Sequence, residues 1–174
     1  MLGSLCSEPP DVVEDSLATP SLAHGEDLHD LFADNQLTAE EFKALPEEAK
    51  RALRVGLGDT IADGDECGGM IELNSRSGEL DNYHGQTPRV YGGREYVFSE
   101  SPFRRIFRQL FGWRRAAMWH THPNNTSHSP QDYRTLRETQ IPSIVVTQEA
   151  IYIANPGAHK TEHLISIPTS EALW

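Results

Sequence analysis

Thirteen consecutive residues constrain this chain more than any others. They run from His120-Thr121-His122-Pro123 through a short polar loop to Ser129-Pro130-Gln131-Asp132. The apolar stretch Ala116 to Trp119 predicts a short buried strand that ends on His120. Side chains along a strand alternate between faces, so two histidines separated by one residue project the same way. Pro123 ends the strand, and Asn124-Asn125-Thr126 let the chain return. Ser129 as N-cap, Pro130 at the first helical position and an acid at the third predict a helix from Ser129 to about Glu138. A strand end and a helix start are therefore tied together by one short loop.

The chemistry of these residues suits a metal. Two imidazoles on one face can bind a single ion at about 2.0–2.1 Å each, and Asp132 in the first turn of the following helix can supply a third ligand. Two histidines and one carboxylate with a fourth position open is the ligand set of a catalytic zinc site, not of a closed structural one. Each half also has a plainer reading. Eight histidines in 174 residues make His-x-His a frequent accident, and Ser-Pro-x-Asp is by itself a helix cap whose acid answers the helix dipole. The two readings are compatible, because a helix start is a rigid place to mount a ligand. His128 is expected as an exposed loop histidine, and Trp113 and Trp119 as core or rim aromatics.

The remaining pattern predicts an α/β (α+β) fold, a mixed central sheet flanked by helices. Thr38-Ala39-Glu40-Glu41 is a capping box opening a helix that Pro46 interrupts or restarts and that should stop near Gly56 or Gly58. Met70 to Leu73 reads as a strand, the turn at Ser75–Gly78 calls for a hairpin partner, and residues 80–93 read as an extended loop. Arg94 to Ser99 alternates as a further strand. Ser101-Pro102 starts a helix with one apolar stripe, Phe103, Ile106, Phe107, Leu110 and Phe111, opposite Arg104, Arg105 and Arg108. Those arginines are expected to form a solvated face, in preference to contact with an acidic partner or with the chain's own acidic leader. Three strands close the chain, Ser143 to Thr147, Ala150 to Ala154 and His163 to Ile167.

Length allows one well-cored domain. The formal charge of −11 is concentrated near the start: residues 1–50 hold twelve Asp/Glu against Lys43 and Lys50, whereas the rest is nearly balanced. Residues 1–36 read as an acidic, flexible extension with an amphipathic stretch at Leu28, Leu31 and Phe32, and residues 37–174 as the folded domain. Nothing in this balance supports nucleic-acid binding. No apolar run approaches the roughly 20 residues needed to span a bilayer, and the first residues lack the basic start and apolar stretch of a secretory signal. A cytoplasmic protein without membrane contact is expected, with Cys6 and Cys67 as reduced thiols.

In its His120-Thr121-His122-Pro123, Ser129-Pro130-Gln131-Asp132 and an upstream glutamate, the sequence resembles the JAMM (JAB/MPN-type) zinc metalloproteases. The resemblance covers about residues 60–155. One departure is a loop of six residues between His122 and Ser129, where the family usually has one more. The resemblance implies a single JAB/MPN-like domain and one Zn2+ held by His120, His122 and Asp132. It assigns general acid/base work to the upstream glutamate, matched by Glu66 in Glu66-Cys67-Gly68-Gly69 with Glu72 as the alternative, and assigns oxyanion stabilisation to Ser129. It further implies a deubiquitinase-like isopeptidase acting on a ubiquitin-like protein or its conjugate. Two other readings stay open: a non-catalytic MPN-type scaffold, and a toxin- or phage-tail-type zinc amidohydrolase.

Overall fold

The computed structural model describes residues 32, 34–84, 102–158 and 163–174. Helices α1 (Ala39–Lys43) and α2 (Glu47–Asp63) lead into strands β1 (Gly68–Asn74) and β2 (Leu80–His84). Helix α3 (Pro102–Leu110), strand β3 (Trp113–Thr121), helix α4 (Pro130–Thr139), strands β4 (Ser143–Val146), β5 (Ala150–Ala154) and β6 (Leu164–Pro168), and a final turn α5 (Thr169–Ala172) follow. The six strands form one sheet in the order β2-β1-β3-β4-β5-β6. Among the described residues only the β3–β4 pair is parallel, as its connection through α4 requires; the other pairs are antiparallel. The mixed sheet with flanking helices is thus present. Among the described residues, no helix is long and apolar enough to cross a membrane.

Alternation along β3 and β5 separates two apolar layers. Trp119 and Ile153 belong to the large cluster with α2, together with Leu53, Ile71, Val146 and Ile167, whereas Ala154 packs on the other side with Leu136 of α4 and Ala158. Helix α2 buries Ala49, Leu53, Gly56, Leu57 and Thr60, a single helical stripe. Each buried leucine is worth roughly 2 kcal/mol, enough to offset the roughly 1 kcal/mol that a helical glycine costs. The expected stop at Gly56 or Gly58 accordingly does not occur; the helix ends at Gly64, whose φ of 76° is the left-handed cap. Gly56 is glycine for a packing reason, since a Cβ there would lie 2.8 Å from the Trp119 ring. The capping box at Thr38 and Glu41 forms as the residues predict, with Pro46 at the N-cap of α2.

Phe32 is fully buried; residues 1–31, with Leu28 and Leu31, lie outside the described residues, as do 94–99. Residues 80–84 pair with β1 as the hairpin's second strand, from Leu73↔Leu80 to Gly69↔His84, so the expected loop does not include them.

Helix α3 corrects the expectation for its arginines. Arg108 Nη2 lies 2.6 Å from Glu72 Oε2 and 2.8 Å from Asp81 Oδ2, and Arg104 Nη2 lies 3.8 Å from Glu72. Arg104 and Arg108 thus face the sheet while Arg105 stays exposed as expected, and the apolar stripe is exposed, Phe103 by 79% and Leu110 by 67%. The reason is Glu72, almost fully buried on β1: a buried carboxylate left without a cation costs about 3–5 kcal/mol.

Candidate metal centre

The site is built where β3 ends. Trp119 and Thr121 face α2, and the Thr121 hydroxyl is held there by Thr60 Oγ1 and by the Cys67 amide at 2.8 Å. That leaves His120 and His122 on the opposite face, both nearly buried. Pairing of His120 with Val145 of β4, and a bond from the His122 amide to Val146 O at 3.0 Å, fix the backbone on either side. The loop back contains Asn125 at a φ of 52°, a conformation that asparagine tolerates, and Asn125 Oδ1 accepts from the Gln148 amide at 3.1 Å.

Helix α4 starts as its residues predict. The Asp132 amide donates to Ser129 Oγ at 3.3 Å, and the Ser129 amide donates to Asp132 Oδ2 at 2.6 Å, a reciprocal cap. Asp132 Oδ1 then lies 3.2 Å from His120 Nε2, and His120 Nε2 lies 3.0 Å from His122 Nε2. Three donor atoms thus converge from a strand end and a helix start. Bonds of about 2.0–2.1 Å at tetrahedral angles place ligand atoms roughly 3.3 Å apart, so the spacing fits one small cation. The donor chemistry, two imidazoles and a carboxylate, suits a borderline divalent metal.

The surroundings tune these groups. His122 Nδ1 lies 2.9 Å from Thr126 O, an arrangement in which the Nδ1–H donates and the Nε2 lone pair points into the site. Burial by itself raises the Asp132 carboxyl, but hydrogen bonding to His120, the His120 charge and the Ser129 cap outweigh it and hold Asp132 well below the usual carboxylate range. Glu66 Oε1 lies 3.5 Å from His122 Nε2. Glu72 stands four residues along β1 from Gly68, the partner of His120, and is engaged by Arg104 and Arg108. Of the two glutamates, Glu66 is the one brought to the histidines.

His128 is a second correction. It is not an exposed loop residue but buried, its Nε2 donating to Ser143 O at 3.0 Å and its ring meeting His120 and Tyr133. Burial, followed by the neighbouring His120, pushes its pKa down to about 4. Thr126 and His128 were not legible as site residues, since a loop threonine and a loop histidine carry no spacing signal. The chain matches no family model and no curated protein.

Proposed function

We propose that this chain is a zinc-dependent metallopeptidase with a JAB/MPN-like domain, hydrolysing a peptide or isopeptide bond at the C-terminal tail of a ubiquitin-like protein. One observation carries the reading: His120, His122 and Asp132 converge with donor spacing suited to a single ion, and Glu66 stands 3.5 Å from His122. Zn2+ held by those three residues would supply Lewis-acid polarisation of a carbonyl and a water pKa lowered to about 7. Glu66 takes the proton from the attacking water and returns it to the leaving amine, the task that calls for a carboxylate at the rim of the donor set. The Ser129 hydroxyl accepts from the Asp132 amide, so its own proton remains available for a developing oxyanion. Asp132 carries two duties on separate oxygens, which fixes the ligand's orientation through the helix cap.

A scaffold role is less well supported, because the chain keeps a complete donor set and a carboxylate beside it. The test is to incubate zinc-loaded protein with ubiquitin-like fusions and isopeptide conjugates, with and without a chelator. Release of the intact ubiquitin-like protein that the chelator stops is the expected result. Absence of cleavage for every such substrate would overturn the peptidase reading.

A further inference from the structure

The apolar stripe of α3 faces water. Phe103, Ile106, Phe107, Leu110 and Phe111 are each more than half exposed, and among the described residues none of them joins either apolar cluster. Taking about 200 Å² for a fully exposed residue of this size, the five present roughly 600 Å² of apolar surface. Monomeric proteins rarely leave a larger patch in water.

The helix cannot roll to bury this stripe in its own fold. Arg104 and Arg108 hold its other face to Glu72 and Asp81, and a roll would strip the buried Glu72 of its cations. The end of the helix is fastened as well. Asn74 Nδ2 donates to Phe111 O at 3.4 Å, and the Ser75 amide and hydroxyl donate to Gly112 O at 2.8 and 2.9 Å. The ion pairs that satisfy Glu72 therefore fix the apolar face outward.

The patch suits a second copy of itself. Its ridge reads the same in both directions: Phe103, Phe107 and Phe111 stand at i, i+4 and i+8, with ring centroids 6.4 and 4.6 Å apart along the row. In an antiparallel pair about a two-fold axis, Phe107 packs beside its own copy and Phe103 beside Phe111, as an isologous contact requires. Rows at i±4 interdigitate in the commonest class of helix crossing. Charge does not oppose the pairing. Arg104 and Arg108 are turned to the sheet, and at roughly 100° per residue Arg105 falls nearly opposite the midline of the stripe. A charged partner would find nothing on this ridge to recognise. Two such patches together remove roughly 1,200 Å² from water, which reaches the lower end of specific interfaces.

We propose that α3 pairs with α3 of a second copy, antiparallel about a two-fold axis at Phe107, making the chain a weak homodimer built on its phenylalanine ridge. The inference does not depend on the peptidase reading.

The test is sedimentation velocity of the full chain over roughly 1–500 µM, the range in which an interface of minimal area dissociates. A reversible monomer–dimer equilibrium without larger species is expected, since a two-fold contact is closed. Phe107→Asp should raise the dissociation constant by about thirtyfold or more, the effect of losing a central aromatic anchor. Because Phe107 is exposed, the melting temperature of the dilute variant should stay that of the wild type. A monomer at every concentration, including one whose stripe is covered by its own residues 85–101, overturns the proposal, as does a dimer that Phe107→Asp leaves intact. A second readout is independent of that variant. Under mild oxidation the Phe107→Cys chain should form a disulfide joining position 107 of two copies, located by peptide mapping. Val55→Cys, at a site on α2 about as exposed and off the ridge, should do so roughly tenfold less, since a disulfide needs Cα atoms within about 7 Å. Equal yields at the two positions reject the pairing.

Discussion

Asp132 divides its carboxylate between two tasks, with Oδ2 accepting from the Ser129 amide at 2.6 Å and Oδ1 lying 3.2 Å from His120 Nε2. The cap sets the side chain's rotamer before any ion arrives, so the entropy of ordering the ligand is met within the fold. The position of Asp132 is set by the first turn of α4 and not by the loop.

Purified protein is expected to bind about one zinc per chain. His122→Ala should lose most of it, because one of three protein donors is removed. Metal analysis of both proteins after dialysis provides the check, and equal zinc in the two would disprove the ligand assignment.

The two glutamates should separate chemistry from stability. Glu66→Gln should keep its metal and its melting temperature while turnover falls roughly 10²–10⁴-fold, since an amide cannot carry the proton. Glu72→Gln should do the reverse. It weakens the buried pair with Arg108, for about 3 kcal/mol and a melting temperature lower by several degrees. An inactive but undiminished Glu72→Gln beside an active Glu66→Gln would reverse the assignment.

Gly56 and Gly58 offer a paired test of packing against propensity. Alanine is better than glycine in a helix by about 1 kcal/mol, and a Cβ at Gly58 meets nothing within 4 Å. Gly58→Ala should therefore stabilise. Gly56→Ala puts a methyl 2.8 Å from Trp119 and should destabilise by roughly 1–3 kcal/mol. Denaturant midpoints that move the same way for both would show that the Trp119 contact does not govern this turn.

Cys67 should be a sluggish thiol. Burial raises its pKa first, and Asp59, Asp63 and Asp65 add to the rise against a hydrogen bond from Thr60. A higher pKa means less thiolate at any given pH, and the thiolate is the reactive form. Peptide-resolved alkylation should be slower than for a short unstructured cysteine peptide at pH 7.5, with its inflection shifted to higher pH. Asp63→Asn with Asp65→Asn should speed it severalfold; unchanged rates would point to burial alone.

Much of the candidate site was readable because it is local. Period-two alternation placed His120 and His122 together, and the Ser129–Asp132 cap needs only four adjacent residues. Neither depends on distant parts of the chain. The burial of His128 does, because its partner Ser143 lies fifteen residues away on β4. The choice between Glu66 and Glu72 depends on register, with β1 pairing so that Gly68 meets His120 and Glu72 meets Arg115.

The amino-acid sequence by itself determined the periodic and capped elements: the α1 capping box, the strand ending at the histidines, the start of α4 and the late strands. Nearest-neighbour chemistry is sufficient for each of these. The tertiary structure decided what depends on a distant partner. The pattern of α3 defines two faces but not which one meets the sheet; buried Glu72, with Asp81, turns Arg104 and Arg108 inward and leaves Phe103 and Leu110 exposed. Gly56 looks like a helix stop until Trp119 is set against it. In both cases the deciding group lies on another strand, and its energy of burial or clash exceeds the local preference.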